Sequence, residues 1–132
     1  MAIEALKEFI LNPSGSDKRN VGRVFGLDNI PSDIVDRAES ASRLLAKGRE
    51  PEARELYRRA AFQSRLAFET SVQDDVVRAG LGISTLSLYV SAHQAEIAKG
   101  FGQRLLDDTS IPPDYRVYVF NQLDFLNEHP QW

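Results

Sequence analysis

Apolar residues recur every three or four positions through most of the chain, and no run alternates apolar with polar residues at period two. The pattern predicts an all-α protein of five or six helices. Residues 2–11 set Ile3, Leu6, Phe9 and Ile10 against Glu4, Lys7 and Glu8, which reads as a short amphipathic helix lying as a lid on one end of the core. From 12 to 31 the chain mixes Pro, Gly, Ser, Asn and Asp with Val21, Val24, Phe25 and Leu27. This connector is expected to pack in part, with Lys18, Arg19 and Arg23 on its solvated side.

A second helix is expected to start at Ser32 or Asn29, either of which can cap. It should stop at Lys47-Gly48, because Gly takes the left-handed conformation after a helix without a Cβ penalty. Glu50-Pro51 restarts a third helix, running to about Thr70, with Ala53, Leu56, Tyr57, Ala60, Ser64, Ala67 and Phe68 on one face. Phe62 and Leu66 form a second stripe off that face, which predicts neighbours on two sides of this helix. Asp74 and Asp75 open a fourth, continuing through Tyr89 or Ser91, apolar around most of its circumference and therefore expected to be the most buried. Gly100 and Gly102, inside a fifth helix from His93 to Leu106, each cost about 1 kcal/mol relative to Ala. Both are expected to let a neighbour approach closely. Pro112-Pro113 starts a sixth, with Tyr115, Tyr118, Val119, Phe125 and Leu126 on one stripe and Val117, Phe120 and Leu123 on another. These elements make one helical domain over 1–132: N-terminal helix and connector (1–31), first hairpin (32–70), second hairpin (74–107) and C-terminal helix (112–128).

Within the first hairpin, the spacing Ala41-x2-Leu44-x3-Gly48-x4-Ala53-x3-Tyr57-x2-Ala60 resembles the tetratricopeptide repeat, a helix-turn-helix unit of about 34 residues. Small residues at 41, 53 and 60 allow two helices to approach, Leu44 and Tyr57 fill the seam, and Gly48 makes the turn. Arg37, Ser40 and Arg65 stand where the repeat usually has an aromatic, a Leu and a Pro. Shifted to the second hairpin, the pattern recovers Leu86, Ala95 and Gly102 at a period near 42 residues. The resemblance implies a short right-handed stack of antiparallel hairpins, and a binding module whose first helices line a concave surface. Carried over by position, that surface would hold Val35, Ala38, Glu39, Ser42, Leu45 and Ala46, with Val76, Ala79, Ile83 and Leu86 as counterparts. Apart from Ser42 these residues are apolar or acidic, which favours a hydrophobic or helical peptide over a C-terminal carboxylate. Apolar stripes of this kind serve a buried core equally well, so both readings stay open.

Composition narrows the chemistry. Cysteine is absent, which excludes disulfides and thiolate sites and suits a reducing compartment, with the cytoplasm as the expected location. The start MAIEALKEFIL lacks the basic region and cleavage site of a signal peptide, and the least charged run, 79–92, is too short to span a membrane. The formal charge is −3, with 12 Lys/Arg against 11 Asp/Glu over 1–72 and 4 against 8 over 73–132. General nucleic-acid binding, which draws on many phosphate contacts, is not expected.

His93 and His129 have no partner at metal-ligand spacing, and Gly80-x-Gly82 lacks a preceding strand and a third Gly. No metal and no cofactor is expected. Asp74-Asp75 and Asp107-Asp108 sit at expected helix ends, where Asp is common as a cap. Arg54, Arg58, Arg59 and Arg65 form the one basic face, but Glu50, Glu52 and Glu55 stand where they can pair with it along the helix. The expected function is a non-catalytic protein–protein interaction module, an adaptor, scaffold or chaperone-like protein binding a peptide or helix. Because stacked repeats need about three units to bury a continuous core, self-association is also expected. Two alternatives stay open: a nucleic-acid-associated regulator using the Arg face, and a small helical ligand binder or enzyme with His93 and a carboxylate in one pocket.

Overall fold

Five helices run through residues 30–71 and 75–132, the part of the chain that the computed structural model describes: α1 (Ser32–Ala46), α2 (Glu50–Thr70), α3 (Asp75–Ser91), α4 (Ala95–Asp107) and α5 (Pro113–Glu128). No strand occurs among the described residues, so the class is all-α, and none of these helices is long and apolar enough to cross a membrane. The helix expected at 2–11, the connector over 12–29 and the start at Asp74 lie outside the described residues.

Backbone chemistry at the turns sets the two hairpins. Gly48 takes φ +76, its N–H donates to the Leu45 carbonyl at 3.0 Å, and Arg49 N–H donates to Leu44 at 2.9 Å. The C-terminal carbonyls of α1 are thereby satisfied by a left-handed cap. The same construction ends α3: His93 takes φ 58, donating to Val90 at 3.0 Å, while Gln94 N–H reaches Tyr89 at 3.0 Å. Histidine, unlike glycine, pays a Cβ penalty there. The turns at 47–49 and 92–94 align Ala53 with Ala98, both fully buried, rather than with Ala95. His93 therefore lies in the turn, two residues before the helix expected to begin with it. At the start of α1, Pro31 occupies the cap position and Ser32 is the first helical residue, with no side-chain cap. The Pro31 carbonyl takes the N–H groups of Ile34 and Val35 instead, at 3.1 and 3.3 Å.

α3 is the centre, buried continuously from Ala79 to Ser91 and packed against α2, α4 and α5, while α1 packs on α2. Its polar residues are satisfied inside. The Ser64 and Thr85 hydroxyls meet at 2.8 Å, and both reach the Leu81 carbonyl, at 3.2 and 2.8 Å. Phe68 and Tyr89 each meet Phe101 edge-on, at 5.4 and 6.1 Å between centroids. A Cβ on Gly82 would lie 2.9 Å from Leu105 and 3.1 Å from Phe68, and one on Gly102 would lie 2.9 Å from Leu123. Gly100 does not share that role: nothing stands within 4 Å of its missing Cβ.

The loop after α4 is tied to the centre. Arg78 donates to Asp108 at 2.5 Å and to Ser110 at 3.0 Å, and Arg116 donates to the carbonyls of Leu106, Asp108 and Ile111. At the C-terminus, Trp132 Nε1 donates to the Val90 carbonyl at 2.7 Å, and its ring stacks on His93 at 4.2 Å. These contacts fix how α5 is presented.

Candidate functional site

α2 buries Ala53, Tyr57, Ala60, Ala61, Ser64 and Phe68 against its neighbours. Its second stripe stays in water: Phe62 is 67% exposed and Leu66 55% exposed. The neighbours expected on two sides of this helix are present, but they do not cover that second stripe. α2 does touch both α1 and α3, but through small residues and Tyr57, Ser64 and Phe68, which leaves Phe62 and Leu66 uncovered.

Beside Phe62 lies a groove of about 330 Å³, lined by Arg37 of α1, Arg58, Arg59 and Gln63 of α2, Tyr89 of α3, Gln94 at the turn, and Ile97 of α4. Ile97 is 43% exposed. Three guanidiniums line the groove and no carboxylate does. Glu55, just outside it, accepts from Arg58 at 2.5 Å and from Arg59 at 3.2 Å. The hydrogen bond from Arg58, opposed by desolvation and helped by Arg59, holds the Glu55 carboxyl below its ordinary value. One carboxylate thus serves two arginines. Arg37 donates to the Gln63 amide oxygen at 2.7 Å, a neutral partner. The buried Gln94 amide oxygen has no hydrogen-bond partner. The groove combines apolar surface, excess positive charge and one unmet acceptor.

The four arginines of the expected basic face divide. Arg54 pairs with Glu50 and carries its Nε buried without a partner. Arg58 and Arg59 share Glu55, while Glu52 turns back to Arg49. Arg65 leaves the face: its guanidinium lies 5.3 Å from the Phe101 centroid and donates to the Tyr89 hydroxyl at 3.3 Å. The pairing read from spacing holds for Glu50–Arg54 and Glu55–Arg59 and misses the double duty of Glu55.

The α1 positions carried over by resemblance are mixed in exposure. Ala38 and Ser42 are buried, Val35, Glu39 and Leu45 are partly covered, and Ala46 is exposed. Of their α3 counterparts, Ala79, Ile83 and Leu86 are buried and Val76 is exposed. Ser42 hydrogen-bonds Tyr57, whose hydroxyl burial pushes up to about 12 against that bond.

A second cavity of about 210 Å³ lies between the two turns, lined by Leu45, Glu50, Ala53, Arg54, Tyr57, Ser91, His93 and Trp132. It brings His93 and a carboxylate together, as the ligand-binder alternative asks. The Glu50 carboxylate is held by Arg54 and the His93 ring lies on Trp132, so both groups are already engaged. Among the described residues no group of three or more His, Cys, Asp or Glu could hold a metal.

The signal for the groove was in the sequence as the off-face pair Phe62 and Leu66. Its walls were not, because Tyr89, Gln94 and Ile97 join it only through the packing of α3 and α4 on α2. Comparison with protein-family models, with curated proteins and with solved structures finds no match for this chain.

Proposed function

We propose that this protein is an interaction module whose groove between α2 and α4 binds an acidic, apolar segment of a protein partner. The observation that carries this reading is the groove lining: Arg37, Arg58 and Arg59 beside exposed Phe62 and Ile97, with no carboxylate among them. An apolar side chain entering beside Phe62 and Ile97 removes both from water, worth about 25 cal/mol per Å² of apolar surface covered. Carboxylates flanking it pair with the guanidiniums, whose planar forks match them in two-point contacts. Charge sets the partner's sign and speeds encounter; the apolar contact supplies most of the affinity.

The consecutive hairpins, closed by the same cap construction, support a repeat-like build within this reading. A chain without cysteine suits the reducing cytoplasm, which we assign as the place of action. The nucleic-acid alternative draws on the same arginines, but affinity for nucleic acid rises with the number of phosphates that protein cations neutralise, and Arg54 and Arg65 are engaged elsewhere.

Fluorescence anisotropy tests the reading with a labelled helical peptide carrying Phe and Val flanked by Asp and Glu. Binding is expected to weaken at least tenfold on Arg58→Glu with Arg59→Glu, and to be lost when the peptide's acids are replaced by Lys. Peptide binding that ignores the arginine changes, or stronger binding of a single-stranded RNA than of the peptide, contradicts it.

A further inference from the structure

The chain carries on α5 the kind of surface the groove is suited to take. α5 buries Tyr115, Val119, Gln122 and Leu126 against the body. On its opposite side Val117 and Phe120, each 55% exposed, stand one turn apart, ringed by exposed Asp114, Asp124 and Glu128. The one cation of the helix, Arg116, is turned away to the carbonyls of Leu106, Asp108 and Ile111. None of the three carboxylates takes part in an ion pair among the described residues. The outer face of α5 is therefore apolar at its middle and purely acidic at its rim, the inverse of the groove.

We propose that the groove's partner is a second copy of this chain, docked by the outer face of α5, so that copies associate head to tail. The pairing presupposes the docking groove proposed above. Phe120 would enter beside Phe62, Tyr89 and Ile97, bringing Asp114 and Asp124 to Arg37, Arg58 and Arg59. Within one chain α5 packs on α3 and α4 through its other side, and α2 and α5 share no more than a marginal contact. The stretch 2–11, outside the described residues, is also amphipathic. It mixes Lys7 with Glu4 and Glu8, so α5 with three acids and no outward cation is the better charge match.

A contact of this type uses two different patches, so each joined pair leaves one groove and one α5 face open. Copies then either extend in a line or close into a ring. One helix on a shallow groove lies at the small end of specific interfaces, so association should be weak and sensitive to salt.

The test mixes two full-length variants, Phe62→Asp, which spoils the groove, and Phe120→Asp, which spoils the α5 face. Both sites are exposed, and circular dichroism and urea midpoints should match wild type. By light scattering from about 10 µM to about 1 mM, a span bracketing micromolar contacts, wild type should grow in mass with concentration and shrink with salt. Each variant alone should stay monomeric. Their equimolar mixture should form a dimer and stop there, because only one good groove and one good α5 face remain to be joined. A wild type that stays monomeric throughout, a variant that associates as wild type does, or a mixture that fails to pair overturns the head-to-tail contact. The acidic peptide is titrated separately into the Phe120→Asp chain. Peptide binding without pairing of copies leaves the groove as a docking site for another protein and removes only the self-partner; no peptide binding removes both.

Discussion

On α2, Phe62 and Leu66 stand one turn apart in water beside Arg58 and Arg59; on α5, Val117 and Phe120 stand one turn apart among Asp114, Asp124 and Glu128. Both pairs lie off the faces their helices bury, and both belong to helices fully engaged on the other side. The charges around them differ in sign. α2 collects its excess because Glu55 is shared by two arginines, and α5 because its only arginine is consumed by carbonyls at the end of α4 and in the loop after it. The contrast teaches that exposed apolar stripes are sorted by the uncompensated charge at their rims, and that this charge follows from local pairing more than from composition. Counted over the halves of the chain, charge hinted at the acidic C-terminal side but not at which helix face presents it.

The largest expected effect separates the two sides of α2. Phe68 is 1% exposed, meets Phe101 edge-on and lies under the Arg78 guanidinium at 4.3 Å. Phe68→Ala should cost about 3–5 kcal/mol of unfolding free energy. Phe62→Ala should change it by no more than about 0.5 kcal/mol while weakening peptide binding. Urea denaturation of both decides this; a comparable loss in Phe62→Ala would make the outer stripe part of the core.

Next comes the anchor of the α5 side. Burial works to raise the Asp108 carboxyl, but hydrogen bonds from the Ser110 hydroxyl, the Arg78 guanidinium and the Ser110 N–H outweigh it and hold it at about 2. A carboxyl held below its unfolded value of 3.8 stabilises the fold above that pH. The contribution is lost as pH falls from about 4 to below 2. Because the pair is 24% exposed on each side, solvent screens it to about 1–2 kcal/mol. Asp108→Asn should cost that much at pH 7 and only a small part of it near pH 2, measured by denaturation at both.

A smaller effect checks that stability and binding are separable. Gly48 sits at φ +76 with nothing within 4 Å of a Cβ, so Gly48→Ala meets backbone strain alone, about 1 kcal/mol. Thermal unfolding should report that loss with peptide affinity unchanged, since no residue of the turn lines the groove. The smallest effect sharpens the charge contrast. Glu55→Gln frees Arg58 and Arg59 together and should tighten the acidic peptide by about two- to fivefold at low salt and hardly at all at high salt. Anisotropy titrations at both ionic strengths measure it.

Helix identity was largely legible, since the period of apolar residues and the Gly48 stop are local chemistry. The start of α4 was not: His93 adopts a left-handed turn that sequence assigns to Gly or Asn, which shifts the second hairpin relative to the small-residue pattern. Gly102 was read correctly as a close approach, whereas Gly100, two residues away, faces open space, and the equally tight Gly82 shows only in the packing of α2 and α4 on α3. The stripes at Phe62 and Phe120 were visible as apolar, but periodicity reports which face is apolar and not whether the chain supplies its cover. Arg65 looked like its neighbours until tertiary packing laid it over Phe101.

The most direct test of the account maps where a second copy lands. Isotope-labelled Phe120→Asp chain is titrated with unlabelled Phe62→Asp chain and followed by amide chemical shifts. The account expects the largest changes at Arg58, Arg59, Phe62, Gln94 and Ile97, with little at Val35, Glu39 and Ala46 of α1. Changes centred on that α1 face, or none at the groove, would contradict it.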